Sequence, residues 1–154
     1  MATVASVMGS NAGPAIASAQ AGQVTVQRGS YEMIATEPED NTLSVRMVKL
    51  PAQHRIVSLV VENDDLDSGA TGTIDIGIED DVGATSDATL FGAAVSVQAA
   101  AVVRYETQAA LELAAVDYDR YITIDIDVAA TTGLAAGVAA TLTSRPELGS
   151  QFEG

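Results

Sequence analysis

The chain has 154 residues, and 21 Asp and Glu against 7 Lys and Arg leave a formal charge of −14, a balance that speaks against nucleic acid or an anionic membrane as partner, because phosphates are held by Lys and Arg. With 47% hydrophobic and 18% charged residues it is not a disordered acidic tail, and its length predicts one domain with a sizeable core. The absence of cysteine removes disulfides, thiolate metal sites and thiol nucleophiles together, and the scarcity of aromatics, with no Trp, removes stacking platforms for sugars and bases. No apolar run approaches the ~18 residues that a membrane helix needs. The first 20 residues lack the basic and apolar regions of a secretory signal, so the expectation is a soluble protein not exported by a signal of its own.

Residues 1–22 are Ala, Ser, Gly and Asn with scattered Val4, Val7, Met8 and Ile16. They show neither strand alternation nor a helical stripe and read as an extended N-terminal arm, either loose or laid along another protein surface. A β-domain is predicted over residues 23–145 and a C-terminal tail over 146–154. Val24 and Val26 open the first β-type run, and residues 31–36 form a second, ended by the turn Glu37-Pro38-Glu39-Asp40-Asn41. Residues 42–50 set Leu43, Val45 and Met47 opposite Ser44 and Arg46 and stop at Pro51. Residues 55–62 are apolar on both faces and are expected to form a central strand covered on both sides.

In residues 73–79, Ile74, Ile76 and Ile78 share one face. Thr-Ile-Asp-Ile returns at 123–126 within a run over 121–128, a recurrence that common strand chemistry explains more simply than duplication. Asp87 caps a predicted short helix through Ala94, with Gly92 ill placed inside it. Residues 95–101, 102–107 and 111–116 read as strands or strand edges, followed by the turn Asp117-Tyr118-Asp119. The last run, 134–143, sets Leu134, Ala136, Val138, Ala140 and Leu142 against Ala135, Gly137, Ala139 and Thr141, whose small uncharged row suits packing against another chain. From Pro146 the tail is expected to be exposed or to lie on a partner. About nine short strands point to an all-β fold, a single-domain β-sandwich or small barrel with an extended N-terminal arm.

The residues for catalysis are sparse. A Ser-His-Asp triad would have to use His54, the one histidine, yet there is no Gly-x-Ser-x-Gly elbow, and His54 reads as structural or solvent-facing. Lys49, the one lysine, has no phosphate loop before it, and a dinucleotide Gly-x-Gly-x-x-Gly is missing. Carboxylate pairs abound by chance, but a glycosidase would want an aromatic-lined groove. The chain is therefore read as no enzyme, with no catalytic residue and no cofactor assigned. Asn63, Asp65 and Asp67 alternate like the start of a calcium loop, but Ser68 stands where glycine belongs, Gly69 comes one place late, and Ile74 replaces the closing glutamate. A strand-ending turn is the simpler reading, and no metal ligand is assigned. Glu79-Asp80-Asp81, and Asp125 with Asp127, read as solvated acids.

One block is more specific. Lys49-Leu50-Pro51-Ala52, Arg55-Ile56-Val57, Glu62-Asn63-Asp64-Asp65-Leu66-Asp67-Ser68-Gly69 and Thr73-Ile74-Asp75-Ile76-Gly77-Ile78 resemble small structural proteins of tailed bacteriophages and prophages encoded among head genes. Asp117-Tyr118-Asp119-Arg120-Tyr121-Ile122 and the strand over 137–142 resemble the closing segment of that group. The resemblance covers residues 43–143, not the arm or tail. It implies a virion protein, a head decoration (cement) protein on the outer surface of an icosahedral capsid, with the major capsid protein as partner, a trimeric state, and residence in the host cytoplasm during assembly. The charge agrees, since an anionic protein is repelled by packaged DNA, and a ligand that binds only the assembled lattice favours the closed shell by mass action. The regions expected to make contact are residues 1–22 and 64–69. Another virion part, such as a head fibre or tail-associated protein, and a calcium-dependent extracellular β-module are the alternatives.

Overall fold

The computed structural model describes residues 2–5, 24–82, 86–105 and 107–147. Its centre is a seam of isoleucine. The two Thr-Ile-Asp-Ile segments lie side by side in strands β5 (Thr73–Asp80) and β8 (Arg120–Val128), antiparallel, with Ile74 opposite Ile126, Ile76 opposite Ile124 and Ile78 opposite Ile122. Because side chains alternate across a strand, all six fall on one face, and all are buried. Each stabilises the fold by roughly 1.5–3 kcal/mol of apolar burial.

Two sheets are built around this seam. With β1 (Ala2–Ala5), β2 (Thr25–Met33), β3 (Leu43–Leu50), β4 (His54–Asn63), β6 (Asp87–Ser96), β7 (Ala101–Arg104) and β9 (Ala136–Pro146), the orders are β1-β3-β8-β5-β6 and β2-β9-β4-β7. Every neighbouring pair is antiparallel except β1 and β3. The sheets pack face to face as a sandwich, with Met33, Leu59, Val61, Val138 and Leu142 of the four-stranded sheet sharing one core with Val45, Leu50 and the isoleucines. The fold class is thus the expected all-β sandwich, and the alternative of a closed barrel falls away.

Several elements differ from the sequence expectation. The runs at Val24 and at 31–36 are one strand, β2, carried through Gly29 by continuous pairing with β9. It stops at Met33, where the Glu37 carboxylate accepts from Ile34 N–H and from the Tyr31 hydroxyl. Within the predicted arm, Ala2–Ala5 pairs in parallel with β3, a backbone interaction that needs no side-chain alternation; residues 6–22 lie outside the described residues. β4 is interior to its sheet but covered on one side only. Ile56, Leu59 and Val61 are buried, whereas Val57, at a register shift, faces outward; a two-layer sandwich has no third layer to cover it. Burial on both faces occurs instead in β8, from Arg120 through Ile124, where the long side chains of Arg46 and Lys49 lie over Tyr121 on the outward side.

Residues 87–94 form strand, not helix. Gly92 disfavours a helix, β5 offers an edge to pair with, and Ala94 adopts φ 50° at an irregular point of that pairing. The strand reading of 95–101 ends at Ser96, and that of 102–107 reduces to β7. Residues 111–116 are not a strand. A single helical turn, α1 (Gln108–Leu111), is capped by the Thr107 hydroxyl accepting from Ala110 N–H, and the chain then runs irregularly to the turn at 117–119. β9 continues through Pro146 opposite His54, and Glu147 bonds Gln53 O through its N–H and Arg55 through its carboxylate, so the predicted tail begins inside the sheet. Residues 148–154 lie outside the described residues.

Gly77 reports on how β6 is held. A Cβ there would stand 2.2 Å from Asp87 O and 2.4 Å from the Ala88 carbonyl carbon, so the start of β6 passes directly over its outward side. Gly77→Ala must displace that backbone. The expected cost is about 2 kcal/mol, read as a lower urea midpoint at unchanged m-value.

Candidate interaction surface and the loops that brace it

The outward face of the four-stranded sheet is open, and the register sets its residues in rows. One row runs Arg28, Thr141, Val60, Arg104; the next runs Ser30, Ala139, Glu62, Val102; the third carries Glu32 and Gly137. Where β9 presents Gly137, Ala139 and Thr141 outward, the face is hollowed along that strand into a groove of about 520 Å³ walled by Arg28, Glu32, Glu62, Asp64 and Val102, and beyond it Thr143 and Arg145 continue the outward row. The sequence reading of this row as small and uncharged is what the groove floor shows. Arg28 reaches Glu62 across the groove at 2.7 Å. Val102 and Val26 are 69% and 63% exposed, large values for apolar residues.

At one end of the sheet, the turn over 64–69 is braced by a single carboxylate. Asp67 Oδ1 accepts from Gly69 N–H (2.8 Å) and Thr132 N–H (3.2 Å), and Oδ2 accepts from Gly72 N–H (2.8 Å) and Thr71 N–H (3.3 Å). Four backbone donors outweigh burial and hold its pKa down at about 2. The carboxylate thereby joins two loops 65 residues apart in sequence. Around it, Leu66 N–H donates to Val97 O and Leu134 N–H to Leu66 O, while Gly133 N–H donates to Glu39. Asp64 and Gly137 exchange bonds, the Asp64 N–H to Gly137 O and the Gly137 N–H to the Asp64 carboxylate. Sequence reasoning missed this role for Asp67. Asp-Ser-Gly was the available signal, since an aspartate bonding the N–H two residues on is a common turn device.

The calcium-like alternation at 63, 65 and 67 is used up by these turns. Besides Asp67, the Asn63 amide donates to Asp64 O and Ala99 O, and Asp65 accepts from Asp67 N–H. Among the described residues no three His, Asp or Glu converge as a metal would require. His54 meets Ser144 Oγ through Nδ1 at 3.1 Å, but both are buried between the sheets, closed to a substrate, and burial lowers the His54 pKa so that it stays neutral at pH 7. Lys49 pairs with Asp119 at 3.2 Å.

The opposite face, outward from the five-stranded sheet, is acidic and internally braced. Arg46 bonds Glu79 and Asp81 and lies over the Tyr121 ring at 4.4 Å. Asp75 stands opposite Asp125 in the β5–β8 pair, and Asp75 accepts from Ala94 N–H. Burial raises the Asp125 pKa, with Glu79 and Asp75 pushing in the same direction against hydrogen bonds from Ser44 and Thr123. Asp125, expected from sequence to be a solvated acid, is half-buried and disfavoured as an anion.

Three chains of solved structure share this architecture. One, in the capsid of Ralstonia phage GP4, has a TM-score of 0.80 at 24% identity over 95% of this chain and 99% of that one. A second, in the capsid asymmetric unit of cyanophage Pam1, has a TM-score of 0.65 at 22% identity over 87% and 92%. A third, in the acid-stable capsid of Helicobacter pylori bacteriophage KHP30, has 0.53 at 13% identity over 80% and 89%. No protein-family model and no curated protein matches the sequence. At these identities the likeness is one of fold, and for the first two neighbours it runs over most of both chains.

The two carboxylates carry opposite pH signatures. Asp67 has a folded pKa below its ordinary 3.8, so its contribution is complete above about pH 4 and is lost as pH falls from there through about 2. Asp67→Asn turns an NH₂ toward two N–H donors and is expected to lower Tm at pH 7 by on the order of 5 °C, a gap that closes toward pH 2 in thermal melts. Asp125 has a folded pKa above its ordinary value, so the native state gains stability as pH falls through that pKa toward 3.8. Asp125→Asn is expected to raise Tm at pH 7, with the gain gone below pH 3.8.

Proposed function

We propose that this protein is a structural component of a phage virion, a decoration (cement) protein seated on the outer surface of the icosahedral head, where it binds the major capsid protein and stabilises the shell against the pressure of packaged DNA. The observation that carries the reading is the end-to-end likeness to a chain of the GP4 capsid, at 95% and 99% coverage. Charge supports the outer placement, because a chain of formal charge −14 is repelled by DNA. The mechanism is binding alone. A ligand that holds neighbouring capsid subunits only in their assembled arrangement stabilises that arrangement by RT ln(1 + [L]/Kd), about 2.7 kcal/mol per site at a hundredfold excess over Kd.

The surfaces described above suit such work. The 64–69 turn presents Asp64, Asp65 and Ser68 to solvent on a loop held rigid by buried Asp67, so little ordering entropy is lost on docking. The groove in the four-stranded sheet lets another backbone approach closely.

Heads prepared without the protein test the reading. Added back, it is expected to co-sediment with expanded heads, to appear on their outside by electron cryo-microscopy, and to increase the fraction that retain DNA after osmotic shock. Heads that survive equally well with and without it overturn the stabilising role. Copies found on fibres or tails, not on the head, overturn the decoration role.

A further inference from the structure

We infer that the outward face of the four-stranded sheet docks, through the half that carries Arg28, Arg55, Arg104 and Arg145, on a carboxylate-bearing surface of the capsid protein. The inference rests on the virion reading and adds to it which side of the sandwich meets the shell and what the shell presents there.

The seven Lys and Arg of the chain are unevenly placed. Arg46 and Lys49 are tied to Glu79, Asp81 and Asp119 on the other outward face, and Arg120 is buried. The remaining four lie together. Arg28 on β2 and Arg104 on β7 stand in one row, joined through Thr141 and Val60. Four residues farther along β9, about 13 Å of strand, Arg145 stands directly opposite Arg55 on β4. Like charges facing each other across a strand pair destabilise it. Glu147 pairs with Arg55 at 2.7 Å, but Arg145 has no ion pair of its own among the described residues. Stability alone gives no reason for a second arginine at that position; a carboxylate on a partner does.

Apolar side chains stand among the arginines. Val24 just before β2, Val26 opposite Thr143, and Val57 at the register shift of β4 are all exposed. Arginine stems and valines together make a contact that excludes water, and ion pairs shielded in this way are stronger than pairs in bulk solvent. Duplex DNA suits the patch less well, because Glu62 and Glu147 lie within it and a chain of formal charge −14 repels a polyanion. At the other end of the face stand Glu32 and, hydrogen-bonded to Gly137 opposite it, Asp64. The face is thus basic at one end of its strands and acidic at the other, so a partner with carboxylates over Arg145 is accepted in one orientation and repelled in the reverse.

Binding of the full chain to heads prepared without it, followed with single variants, tests this. Arg104→Glu and Arg145→Glu are each expected to raise Kd by about tenfold or more. The double variant V82E/S86E adds the same negative charge at exposed positions between β5 and β6 and is expected to stay within about twofold of the parent, since distant sites act independently. Raising salt from about 0.15 to about 0.5 M is expected to weaken the parent several-fold and Arg145→Glu less. Arg104 and Arg145 are exposed, and in thermal melts Arg145→Glu, which places a carboxylate opposite Arg55, is expected not to lower Tm, so that weakened binding is separated from misfolding. A parent that does not bind heads overturns the virion reading and this inference with it. A parent that binds while Arg104→Glu and Arg145→Glu bind equally well, or while V82E/S86E weakens binding as much as they do, overturns this inference alone. Retention of the parent on short duplex DNA at the same salt, lost in Arg145→Glu, would overturn it in favour of a nucleic-acid site.

Discussion

The structure depends on the apolar seam where β5 and β8 lie edge to edge. Each strand presents three isoleucines to the core, and antiparallel pairing brings the six into register. On one side of the seam β3 and β1 are added, on the other β6, and the four-stranded sheet closes over the isoleucine face. The alternation that buries isoleucine also sends Asp75, Glu79, Asp125 and Asp127 outward, so the same two strands supply both the centre of the core and much of the acidic surface. Shifting either strand by one residue would exchange these sets, which makes the register strongly specified.

From this arrangement follow two outward faces of different character. The five-stranded sheet carries carboxylates tied to Arg46 and Lys49, with the Arg46 guanidinium lying over Tyr121, a surface whose charges are partly satisfied at home. The four-stranded sheet carries small residues along β9 with charges of both signs at its margins. With charges of both signs, this face repels another acidic surface less than the five-stranded sheet's face does. The loops at the adjoining end are rigid because backbone N–H groups from two separate loops converge on buried Asp67.

Asp67 and Asp125 show why carboxylates in an acidic chain are not equivalent. Both are withdrawn from solvent. Asp67 meets four N–H donors, which favour its anion; Asp125 meets two hydroxyls and the fields of Glu79 and Asp75, and burial prevails. The difference lies in what each oxygen faces, and the residue type does not determine it.

By itself the sequence determined what period and composition carry: the all-β class, the inward set of Ile74, Ile76, Ile78, Ile122, Ile124 and Ile126, the turns at 37–41 and 117–119, the small outward row of β9, and an anionic surface. These are local properties, decided within a few residues by alternation and turn chemistry. Only the tertiary structure decided that the two Thr-Ile-Asp-Ile segments are neighbours, that residues 87–94 serve as an edge strand and not a helix, and that Val57 faces outward. It alone distinguished Asp67 from Asp65, because the N–H of Thr132 arrives from a loop 65 positions away. Pairing and hydrogen-bond convergence join residues that no local pattern relates, so they are fixed only when the sheets close.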